Sequence, residues 1–136
     1  MRHFLLLLVA LAACAPKRPV VTWVSSLTGV QERVEIRSDG DVSYTTTVKG
    51  VETRPQPIKL GKEQVEELAE LMRAQRACEL AHDPDFTPAP DEGQSTLELS
   101  FPDQRCKVVL WNREWLRDRS REIVETMRSM RPLRGH

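Results

Sequence analysis

The chain has 136 residues, of which 40% are hydrophobic and 29% charged, with 20 basic and 20 acidic side chains. That length holds one ordinary domain, and the composition excludes a disordered chain, which carries few aliphatic residues and a large net charge. The even charge balance excludes an electrostatic basis for nucleic-acid binding, because phosphate recognition needs a basic face that releases counterions.

Met1, Arg2 and His3 form a short basic start, and Phe4 to Ala13 follow without a charge, the layout of a secretory signal. As a helix this apolar run spans only about 15 Å, half of a ~30 Å hydrocarbon core, so it is expected to be a signal and not a transmembrane anchor. The run closes with Leu11, Ala12, Ala13 and Cys14, which resembles the lipobox of bacterial lipoproteins. The resemblance implies diacylglycerol on the Cys14 sulfur, cleavage between Ala13 and Cys14, and a fatty acyl group such as palmitate on the new amino terminus. Two or three chains, at ~0.8 kcal/mol per buried methylene, exceed the marginal hold of a single one. In Gram-negative lipoproteins an Asp after the lipidated cysteine marks inner-membrane retention; Ala15 at that place implies the outer membrane, facing the periplasm. The competing reading makes Cys14 a small residue in an ordinary signal peptide.

Without residues 1–13 the chain keeps 19 basic against 20 acidic residues, since only Arg2 is lost. Residues 14–19, with Pro16 and Pro19, form a semi-extended lipidated tether. Lys17 and Arg18 on it either touch anionic headgroups, at ~1 kcal/mol each, or are simply solvated. Residues 20–131 are expected to be the single domain and 132–136 a tail.

Val20 to Val24, β-branched and aromatic, predict a first strand ending near Ser25 to Gly29. Val30, Val34 and Ile36 share one parity, with Glu32 interrupting it, and Val42, Tyr44, Thr46 and Val48 alternate likewise beyond Ser38, Asp39 and Gly40. A three-residue loop with Gly40 left-handed sets Ile36 opposite Val42 and Val34 opposite Tyr44, whereas a two-residue turn mismatches the faces. Pro55 and Pro57 then mark an exit to a loop.

Val65, Leu68, Ala69 and Met72 recur at helical spacing, predicting a helix from about Lys62 to Ala77, with acids in its first turns and Arg73 and Arg76 near its end. His82 to Gly93, containing Pro84, Pro88 and Pro90, reads as a loop. Leu97, Leu99 and Phe101 alternate, as do Cys106, Val108 and Leu110; a four-residue loop from Pro102 to Arg105 pairs Phe101 with Cys106. Asn112 is placed to cap a last helix from Arg113, with Trp115, Leu116, Ile123, Val124 and Met127 as its buried stripe. The order strand, hairpin, helix, hairpin, helix predicts an α+β fold, a small antiparallel sheet with two helices packed on one face.

Lipidation of Cys14 leaves Cys78 and Cys106 as a pair. Cys78 follows the first helix and Cys106 points to the face that helix covers, so a disulfide is sterically reasonable. It closes a loop of about 29 residues, ~3–4 kcal/mol on the chain-entropy model, and export favours it. Two buried free thiols remain a competing reading; a metal pair lacks further ligands nearby.

For chemistry, His82 between Asp83 and Asp85 is the one histidine base candidate of the mature body apart from terminal His136, and it has no Gly-x-Ser-x-Gly elbow or second histidine to work with. Asp83, Asp85, Asp91 and Glu92 lack the spacing of a calcium loop. No catalytic residue, metal, cofactor or small-molecule substrate is therefore assigned, and the chain is not expected to be an enzyme. Among Trp23, Trp111 and Trp115, Trp111 has the opposite parity from Leu110 and shares the second sheet face with Lys107 and Val109. Val109 and Trp111 are the candidate contact with an envelope protein partner, since tryptophan is enriched at binding hot spots, against the bland reading of core packing.

The element order from Val21 to Met127, with the Asp39 and Gly40 turn and the amphipathic Val65 to Met72 helix, resembles emfourin, a small bacterial inhibitor of thermolysin-like metalloproteases. That resemblance implies inhibition of an exported protease as the alternative function. It carries over no inhibitory motif residue by residue.

Overall fold

The computed structural model describes residues 18–130; the leader, Cys14 and the tail from 131 lie outside the described residues. Pro19–Leu27 form β1, which buries Val21 and Trp23 on one face. It turns at Thr28 and Gly29 into β2, Val30–Arg37, which buries Val34 and Ile36 on the same face. β3, Asp41–Val48, pairs with β2 in the expected register, Ile36 opposite Val42 and Val34 opposite Tyr44. Gly40 has φ +93°, and its missing Cβ leaves room for the Leu60 carbonyl, which would lie 2.1 Å away. The Leu60 N–H donates to the Gly40 carbonyl at 2.8 Å, so this turn also carries the entry to the first helix.

Two short strands escape the periodicity reading. β4, Val51–Thr53, folds back on β3 at Val48 to Thr46, and β5, Ile58–Lys59, pairs with its other end at Asp41 and Val42. Pro55 and Pro57 lie between them, so the chain leaves the sheet there and returns. Strands of three and two residues are too short to show alternation.

Helix α1, Lys62–Ala74, buries Val65, Leu68, Ala69 and Met72 as the spacing predicts. The Gln64 carboxamide oxygen accepts the Gly61 N–H at 2.8 Å, satisfying one free donor at its start. The helix stops three residues short of the expected Ala77, because Arg76 adopts a left-handed φ of 51°, and a 3₁₀ turn, Ala77–Glu79, follows.

β6, Gln94–Phe101, and β7, Gln104–Trp111, form the second long hairpin. Here the expected register is corrected: Pro102 and Asp103 alone make the turn, Phe101 faces Gln104 and Leu99 faces Cys106. The shift is two residues, so every side chain keeps its face. The shorter turn is held from outside, by Arg73 on Asp103 at 2.6 Å and by the Gln104 amide donating to the Ala69 carbonyl at 3.0 Å.

The last helix is also corrected. A 3₁₀ turn, Glu114–Leu116, precedes α2, which runs Asp118–Ser129 with Arg117 at its N-cap. Asn112 does not cap it; its side chain bonds Ser95 and donates to the Ser26 carbonyl at 3.0 Å, tying β1 to β6. Trp115, Ile123, Val124 and Met127 are buried as expected, while Leu116 is 39% exposed because the 3₁₀ turn rotates it off the stripe.

The strands form one antiparallel sheet in the order β4-β3-β2-β1-β6-β7, with β5 beside β3. The first strand is thus central. Both helices contribute to a single core on one face, where Trp115 meets Trp23 edge-on at 4.9 Å and its indole N–H donates to the Ser95 carbonyl at 2.9 Å. The fold is α+β, a seven-strand antiparallel sheet with two helices.

Candidate functional site

The second face of the sheet carries neither helix. Alternation puts Thr22, Val24, Arg33, Glu35, Thr96, Glu98, Lys107 and Val109 there, in rows such as Arg33, Val24, Thr96, Val109 and Glu35, Thr22, Glu98, Lys107. The charges suit solvent, while Thr22 on the central strand is buried among its neighbours, and the one close ion pair within these rows is Arg33 with Glu35 at 2.6 Å. Val109 is 42% exposed and Trp111 is half-buried, in line with Val109 along β7. The structure therefore brings the two predicted contact residues to the same strand end and the same face. It places Trp23 and Trp115 in the core instead.

Beside Trp111 lies a feature that the sequence did not flag. Glu114 is only 5% exposed, yet it is a carboxylate, and the loop at His82 and Asp83 and the end of β7 converge on it. Its Oε1 accepts the Asp83 N–H at 2.9 Å, its Oε2 accepts the Trp111 N–H at 2.9 Å, and His82 Nδ1 sits 2.9 and 3.0 Å from the two oxygens. Burial, the largest single influence, pushes its pKa up; the Trp111 and Asp83 N–H groups and His82 together outweigh it and hold the carboxyl below its ordinary value. Glu114 is thus anionic and serves as a fixed acceptor for loop 80–93.

The same loop is pinned further along. Asp83 meets Arg117 at 3.3 Å, Glu92 pairs with Arg113, and Arg113 also donates to the Thr87 carbonyl at 3.1 Å. The Arg113 and Arg117 guanidinium groups both lie over the Phe86 ring, 5.2 and 5.0 Å from its centroid. At its end, Gly93 passes so close to β1 that a Cβ would lie 2.0 Å from the Ser26 carbonyl. His82, Asp83 and Glu92 are therefore engaged in holding this loop. They do not converge on one point, and among the described residues no group of three or more His, Cys, Asp or Glu could hold a metal.

Cys78 and Cys106 form a disulfide, with Cα atoms 5.6 Å apart, and bind the start of this segment to edge strand β7. An unpaired strand edge invites pairing with other chains. Here the 3₁₀ turn, the disulfide and the Trp111 bond to Glu114 occupy part of that edge.

A cavity of about 310 Å³ opens where β1 ends. Leu27, Val30 and Leu116 supply its apolar wall and Ser25, Ser95 and Asn112 its polar floor, with Arg113 and Arg128 also lining it. Nothing in the periodicity of the sequence signals it, because it is built from residues of five separate elements, β1, β2, β6, the 3₁₀ turn and α2.

These features define a disulfide-bonded α+β domain with one covered and one open sheet face. Comparison of the sequence with protein-family models and with curated proteins finds no match.

Proposed function

We propose that this chain is a membrane-anchored envelope lipoprotein whose domain binds another protein and does no catalysis, with Val109 and Trp111 at the contact. The observation that carries the binding role is the sheet face around Val109, which no helix covers and on which a branched aliphatic side chain stands 42% exposed. Two features support an exported location. The Cys78 to Cys106 disulfide is of a kind that persists in oxidising compartments, and Leu11, Ala12, Ala13 and Cys14 form the lipobox-like run. The tether from Cys14 would enter the domain through Pro19, at the start of the central strand, which leaves the open sheet face free to meet a partner.

Intact mass and membrane fractionation test the address. Wild type should be acylated and membrane-bound, and Cys14→Ser should remain unprocessed; unlipidated wild type in the soluble fraction overturns it. Cross-linking of wild type beside Val109→Asp tests the surface. A specific envelope protein should be lost at least tenfold from the variant while its circular dichroism is unchanged. An emfourin-like inhibitor would instead slow a thermolysin-like protease stoichiometrically, and that result would replace the scaffold reading.

A further inference from the structure

A second surface lies on the helix-covered face, at the end of the sheet remote from Pro19. Leu27 faces Val30 across the β1–β2 turn, Val30 faces Val48, and Val48 faces Val51. Four apolar side chains therefore stand in one row across four adjacent strands. Parity puts the row on the face of Val21, Trp23, Val34 and Ile36, but the helices stop short of it: Leu27 is 65% and Val51 68% exposed. At strand spacings of about 4.8 Å the row is roughly 14 Å long. Its β1 end runs into the cavity walled by Leu27, Val30 and Leu116.

Single exposed aliphatics need no explanation, whereas an ordered row that opens into a cavity does. Its surroundings are polarised. Arg128, in the last turn of α2, lines the cavity and has no ion-pair partner among the described residues. Arg113 lines it too, and its bonds to Glu92 and Thr87 use Nε and Nη2, leaving Nη1. Glu32, on the same wall, is engaged in an interaction of its own.

Size decides between occupants. Four aliphatic side chains and Leu116 make a patch of a few hundred Å², below the roughly 800 Å² that each partner contributes to a stable dimer. The row is nevertheless long enough for four or five extended residues at about 3.3 Å each. The anchoring bilayer is also a poor fit, since β1 carries the row eight residues away from Pro19, about 26 Å at strand rise. We infer that the Leu27, Val30, Val48, Val51 row and its adjoining cavity form a docking groove for a short extended aliphatic segment of a partner protein that ends in a free carboxylate. The aliphatic side chains lie on the row, and the carboxylate takes the unused N–H groups of Arg128 and Arg113.

The test uses purified protein as the cell produces it and a fluorescein-labelled peptide, Ser-Gly-Val-Leu-Val-Val, with a free or an amidated C-terminus. Anisotropy should show saturable binding of the free acid and at least tenfold weaker binding of the amide. Arg128→Gln should weaken the free acid about tenfold, and Leu27→Ser and Val51→Ser at least fivefold each. Val109→Ser, on the opposite face, should bind as wild type does, which separates this groove from the open-face contact. Absence of saturable binding by the free acid, or equal binding of acid and amide, overturns the inference. A concentration-dependent dimer in sedimentation that Leu27→Ser abolishes also overturns it, because the row would then belong to a second copy.

Discussion

Glu114 shows how one side chain can organise a surface that has no secondary structure of its own. Its two oxygens accept backbone N–H groups from Asp83 and Trp111, and His82 adds a third contact. Glu114→Gln keeps the shape but turns an amide donor toward one of those N–H groups. A buried donor left unpaired costs about 1–3 kcal/mol, so urea unfolding at pH 7 should show a loss of that size. The pH dependence follows from the depressed carboxyl. The anion's contribution is complete above the unfolded value of ~4.3, and it is lost as pH falls through the lower folded value. Wild type should therefore lose stability over that acid window, and Glu114→Gln should show a flatter profile there; parallel profiles would assign the acid sensitivity to other groups. The sequence did not single out Glu114 among 20 acids, since burial of a charge depends on donors brought from residues far along the chain.

At the scale of elements, the segment between α1 and β6 is a connection made rigid by its ends. The disulfide fixes it at Cys78, the arginine contacts hold its middle, and Gly93 seats it against β1. Closing a loop of this length removes denatured-state entropy, so the Cys78→Ser, Cys106→Ser double variant should lose about 3–4 kcal/mol in urea unfolding. Wild type measured in reductant should approach the variant, and a loss below about 1 kcal/mol would show that side-chain contacts hold the segment unaided. The pairing of these cysteines was legible because strand parity and the end of α1 both aim at one face. The role of Gly93 was not, because it depends on a neighbour about seventy residues earlier, a separation that no local rule reaches.

Over the whole molecule, one core joins both helices to six strands, and the first strand is wedged between β2 and β6. No part of that core is closed without β1, so the domain should unfold in a single step. Near-ultraviolet circular dichroism of the Trp23 and Trp115 pair and far-ultraviolet circular dichroism of the backbone should give coincident urea transitions. An earlier loss of the tryptophan signal would mean that the end of the sheet around Ser95 opens separately. The two surfaces follow from the same arrangement. Helices on one side leave the Val109 face open, and helices shorter than the sheet leave the Leu27 to Val51 row uncovered.

What the sequence by itself determined was local and periodic: the α+β class, the face to which each long strand turns, the Ile36 to Val42 register, the buried stripe of α1 and the cysteine pair. Each rests on side-chain spacing within one element or across one turn, where geometry leaves few alternatives. The lipobox-like run is legible for a similar reason, being a contiguous stretch of residues. Only the tertiary structure decided the rest. It shortened the Pro102 turn and reassigned Asn112, since α1 and β1 compete for those groups, and it added β4 and β5 because β3 offers a free edge to pair. The burial of Glu114 and the groove at the end of β1 are likewise set by segments far apart in the chain, and their positions follow from how the core closes.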